Sequence, residues 1–147
     1  MRPSESVLKK LLNYQAWVQA NLSAPPTLLD YVGFTADPDA LFSFAELFCP
    51  ELVVHEGFHF LASGLAPGTI EGWIAKGLDM RAIQRVVNHI HISSLLQGRQ
   101  ISDDVAVEAA RVIAHIWSRT LAPEGLVAEA FGTDYGEAGV TFYRRPD

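Results

Sequence analysis

The chain has 147 residues, enough for one domain over residues 1–147 and for a core that needs no disulfide or metal staple. Its 49% hydrophobic and 19% charged residues describe an ordinary globular protein, while a net charge of −6 and a pI near 5.3, with few and scattered Lys and Arg, exclude a phosphate-backbone binder, which needs a basic face. A single cysteine, Cys49, excludes an internal disulfide framework; MRPSESVLKK lacks the apolar run of a signal peptide and no segment approaches a membrane span, so a cytoplasmic location is expected.

From Ser4 to about Leu22 the residues Val7, Leu8, Leu11, Leu12, Val18 and Leu22 recur at helical spacing behind Ser4 as N-cap, which predicts an amphipathic packing helix with Tyr14 and Trp17 at its edge. Ser23-Ala-Pro-Pro breaks it, and Thr27 to Val32 reads as one or two helical turns. Asp37-Pro38-Asp39 supplies an N-cap, an N1 proline and a first-turn acid for a helix through Phe48, whose Leu41, Phe42, Phe44, Ala45 and Phe48 read as core. Cys49, between Phe48 and Pro50, reads as a buried inert thiol, with a nucleophile as the sharper alternative.

The next stretch, ELVVHEGFHFLASG (Glu51 to Gly64), holds the one recognisable chemical pattern, His55-Glu56-x-x-His59, and it reads in two ways. As a hairpin with Glu56-Gly57 in the turn, Val54 faces His59 and His55 faces Phe58. Val53, His55, Phe58 and Phe60 then share one side, and Leu52, Val54, His59 and Leu61 the other, so no single metal could bind both imidazoles. Val53, Val54, Phe58 and Phe60 are strand formers, and Gly57 costs a helix interior about 1 kcal/mol, which favours this reading.

As a helix begun by Pro50 and closed by Gly64, the same residues resemble the HExxH motif of zincin-type metallopeptidases over about a dozen positions. That resemblance implies zinc held by His55 and His59, with Glu56 as general base on the bound water. It leaves the third ligand unknown. The extended metzincin pattern is not met, because Gly64 falls two positions beyond the expected glycine and no histidine follows it. Glu71 and Glu108 lack gluzincin surroundings, and His89, His91 or His115 would need a fold that the sequence does not specify.

Thr69 is expected to cap a short helix with Ile70, Trp73, Ile74 and Leu78, and Asp79 a longer one through about Leu96 with Ile83, Val86, Val87 and Ile90 inward. His89 and His91, two residues apart, could share a face only on a strand; with Asn88 they read as a structural polar patch. Gly98 to Ser102 is a turn, and Ser102 or Asp103 caps a helix through about Leu121 with Val105, Ala109, Val112, Ile113 and Ile116 inward and His115 beside them. Leu126 to Phe131 and Val140 to Arg144 read as strands around the loop Gly132 to Gly139, whose Asp134 and Glu137, with Glu129, match no calcium motif.

These elements predict an α+β domain in which about five helices pack on a small antiparallel sheet built from two hairpins. Function is expected to be non-catalytic binding of a protein or small ligand, with no cofactor, no nucleic acid and no membrane; the alternative is the zinc-dependent hydrolase. A homodimer is expected over a monomer if Phe142 and Tyr143 stand on an open sheet edge guarded only by Arg144 and Arg145.

Overall fold

A computed structural model describes residues 3–21, 27–96, 99, 101–132, 134 and 137–145. The predicted break at Ser23 to Pro26, the helix end at Leu22, the Gly98 turn and part of the Gly132 to Gly139 loop lie outside them. The architecture is α+β, with eight helices and two small antiparallel sheets among the described residues.

The amino-terminal helix is two pieces, α1 (Glu5–Leu8) and α2 (Leu12–Ala20). Ser4 caps the first, its hydroxyl accepting from the Val7 amide. α1 is tied to the long helix α8 (Asp103–Thr120) by the Ser4 amide on Glu108 and by Lys10 on Asp104, and the Lys10 hydrogen bond, then that of Ser102, holds the exposed Asp104 carboxyl at about 2. α2 packs on α3 (Leu28–Thr35) through aromatic edges: Tyr14 is 5.4 Å from Tyr31, and Trp17 lies 5.4 Å from Tyr31 and 6.1 Å from Phe34. α4 (Pro38–Phe48) starts on Asp37 as expected.

The hairpin of β1 (Leu52–His55) and β2 (Phe58–Leu61) forms a two-stranded sheet by itself. α5 (Thr69–Ile74) and α6 (Met80–Val87, capped by Asp79) follow. The helix predicted from Asp79 to Leu96 is interrupted. α6 stops at the buried Asn88, Ile90–His91 become a short strand, β3, and α7 (Ile92–Leu95) resumes the helix. β3 pairs with β5 (Gly139–Arg144), whose other side takes β4 (Leu126–Phe131). Gly139 permits this, since a Cβ there would stand 2.5 Å from the Ile90 carbonyl oxygen and 2.3 Å from the Phe131 ring.

The expectation of one sheet from both hairpins is corrected to two, and the cause is a pair of amides on α6. Gln84 and Asn88, one turn apart and fully buried, lie between the outward edge of β2 and the edge of β5 beyond β3. Asn88 donates to the carbonyls of His59 (2.9 Å) and Phe142 (3.3 Å) and accepts from the Leu61 amide (3.0 Å). Gln84 donates to His59 (2.9 Å) and accepts from Arg144 (3.0 Å). The side chains take the ladder positions that a direct β2–β5 pairing would use. They also fill the Phe142–Tyr143 edge on which pairing between copies was the expectation.

Two apolar clusters result, and β2 is the wall between them. Phe60 joins Ile70, Ile83 and Val87 on one side, while Leu61 joins Ile113, Trp117, Val140 and Phe142 on the other.

Candidate functional site

The His55-Glu56-x-x-His59 residues occupy the β1–β2 hairpin, in the register Val54↔His59 and His55↔Phe58. Glu56 (φ 50°) and Gly57 (φ 79°) both adopt left-handed backbone, as a two-residue turn compatible with strand twist requires. Val53, Phe58 and Phe60 pack in the α5–α6 cluster, and Leu52 and Leu61 in the α8 cluster, so His55 belongs to the first face and His59 to the second. His59 is nearly buried, with Nε2 3.3 Å from Glu124 Oε2 in the turn after α8; Glu56 is exposed at the hairpin tip. The two imidazoles do not fit one metal ion on this backbone. Among the described residues no three His, Cys, Asp or Glu side chains converge on a metal-sized site.

A left-handed glutamate is strained, which gives a direct test of the turn. Glu56→Asn is expected to raise stability by about 0.5–1 kcal/mol, because asparagine tolerates this conformation, and Gly57→Ala to lower it by about 1 kcal/mol or more. Urea unfolding of the two variants reads both. Were Glu56 inside a helix, Gly57→Ala would stabilise instead.

The other candidates are dispersed. His89 and His91 stack edge-on at 4.7 Å, and His91 Nδ1 lies 3.6 Å from Glu137 Oε2, which already accepts from Ser93 Oγ at 2.6 Å. Glu129 is taken by the Tyr143 hydroxyl (2.9 Å) and Arg85 (3.9 Å), away from Glu137. His115 is half-buried on α8, Glu71 exposed on α5, and Cys49 exposed, which corrects its reading as a buried thiol.

A concave apolar feature that was not singled out from the sequence lies elsewhere. A groove of about 630 Å³ runs between α1, α4, α7 and α8. Phe44, Leu47 and Phe48 form one wall, Ile92 and Leu95 an end, and Val105, Ala109 and Val112 the facing wall. Two expectations are corrected here. Leu41, Phe42 and Phe44, read as core, are 60%, 74% and 54% exposed; and on α8 Ile113 enters the core as expected, joined by Ala110, Ala114 and Trp117, with Ala109 packed partly against it, while Val105 and Val112 face the groove. The groove keeps its shape because α8 caps α4. Trp117 Nε1 donates to the Leu47 carbonyl (2.8 Å) and Thr120 Oγ1 to that of Phe48 (3.3 Å), satisfying two carbonyls left open at the end of α4.

Searches against family models, curated proteins and solved structures match nothing to this chain. Among the described residues no helix is long and apolar enough to cross a membrane.

Proposed function

We propose that this chain is a non-catalytic binding domain and that the groove between α4, α7 and α8 is its ligand seat. One observation carries the reading: an apolar groove of about 630 Å³, within the usual range for ligand sites, stands open with Phe44 of its wall 54% exposed. Fully burying such a side chain is worth about 1.5–3 kcal/mol, part of which a bound partner recovers. The polar groups in the described groove wall are Ser43, Glu108 and Arg99, and the rest of the lining is predominantly apolar, which suits binding.

Titration with the uncharged fluorophore N-phenylnaphthylamine tests this. Saturable one-to-one binding is expected, weakened about tenfold or more when Ala109→Trp fills the groove, since a blocked apolar pocket forfeits most of its contact energy. Absence of saturable binding, or equal binding by Ala109→Trp with an unchanged circular dichroism spectrum, would refute the proposal.

A further inference from the structure

We infer that the groove seats a basic amphipathic helix supplied by a different protein; this rests on the groove being the binding seat. Scattered as the cations are elsewhere, none falls between Lys10 and Lys76, a stretch that carries seven acidic residues and contains all of α2, α3 and α4. On α4, Asp39, Ser43 and Glu46 are spaced i, i+4, i+7, so both carboxylates share a stripe with Ser43, which lines the groove. Asp39 and Glu46 are exposed and have no hydrogen-bond or ion-pair partner among the described residues. On the facing wall Glu108 differs, because it is already paired. It sits among Val105, Ala109 and Val112 with its side chain only 12% exposed, accepting a bond from the Ser4 amide at 3.3 Å and facing Arg111 at 3.6 Å.

An apolar groove with the exposed carboxylates of Asp39 and Glu46 on the α4 stripe beside it matches a helix with one leucine-like stripe flanked by Lys or Arg. Nearby Lys9 and Lys10 are already paired with Glu5 and Asp104. Arg99, the basic residue of the lining, is placed to meet the carbonyl end of the incoming helix, where a cation is favourable. A second copy of this chain fits less well. In a two-fold dimer the same acidic patch would face itself, and the chain already carries −6. Anionic lipid and nucleic acid are disfavoured by the same sign of charge.

The probe is an 18-residue amidated peptide of Leu and Lys with one apolar face, compared with its Leu/Glu counterpart, each added to the full chain preloaded with N-phenylnaphthylamine. The Lys peptide is expected to displace the fluorophore one-to-one and to bind about tenfold or more tighter than the Glu peptide, with affinity falling as salt rises. Ala109→Trp should abolish that binding. Asp39→Asn with Glu46→Gln should weaken it several-fold while fluorophore binding stays unchanged. The inference is overturned, and the groove reading kept, if the fluorophore binds but the two peptides bind alike or not at all. It is also overturned if the Lys peptide binds without displacing the fluorophore and ignores Ala109→Trp, which is the behaviour of a generic polyanion. A concentration-dependent dimer in sedimentation that Ala109→Trp dissociates would overturn it in favour of a second copy. Loss of fluorophore binding by the unsubstituted chain would remove both readings together.

Discussion

Replacing Asn88 with alanine is expected to destabilise the protein by about 3 kcal/mol or more, a large share of the roughly 5–15 kcal/mol that holds a domain folded. The deletion leaves the Leu61 amide and the Phe142 carbonyl without their partner in a buried gap, and each such group carries a desolvation penalty of about 1–3 kcal/mol. His59 keeps its bond from Gln84, so the loss concentrates on two groups. Asn88→Asp is expected to be at least as harmful, because the carboxylate can still accept from Leu61 but meets the carbonyls of His59 and Phe142 with no hydrogen to donate. Gln84→Ala should cost less, and the Gln84/Asn88 double variant should depart from additivity, since both amides converge on the His59 carbonyl. Urea-induced unfolding measures all four. If Asn88→Ala fell within about 0.5 kcal/mol of the parent, the range of an ordinary surface substitution, the bridge between the sheets would be wrong.

Trp117→Ala is expected to cost about 3–5 kcal/mol, in the range for a large aromatic removed from a packed core. Trp117 is fully buried, meets Phe142 edge-on at 5.5 Å and bonds the Leu47 carbonyl, so it supports the core and the C-terminal turn of α4 together. Trp117→Phe separates the two roles. It keeps most of the apolar volume and removes the indole N–H, so a loss of about 1–2 kcal/mol is expected, together with faster amide exchange in α4 and weaker fluorophore binding in the groove. Hydrogen exchange followed residue by residue checks this. Unchanged exchange in α4 would show that the helix is held by something other than α8.

Much local chemistry was legible in the sequence where a residue acts on its own neighbours, although Gly68 and not Thr69 is the N-cap of α5. Asp37, Asp79, Ser4 and Ser102 occupy the N-cap positions read from their side chains, and the Glu56-Gly57 turn sets the β1–β2 register and both faces of the hairpin as anticipated. What the sequence concealed depends on partners distant along the chain. Periodicity identifies an apolar face on α4 and on α8 but not what covers it, so Phe44 and Val112 could not be told from core residues until their surroundings were known. Asn88 reads from the sequence only as part of a polar patch with His89 and His91, and Gln84 carries no signal, because their four carbonyl and amide partners lie 25 to 60 positions away. The break after Asn88 left one trace: His89 and His91 could share a face only if the helix stopped, and it stops there.

His55 and His59 stand on opposite faces of a hairpin, and the proposed ligand seat in the groove presupposes that they do not share a metal ion. Isothermal titration of tag-free protein with zinc, repeated on His55→Ala and on His59→Ala, tests it most directly. The hairpin predicts no one-to-one site that both histidines are needed to form. A stoichiometric zinc site abolished equally by either substitution would contradict it and place the two imidazoles on one face of a helix.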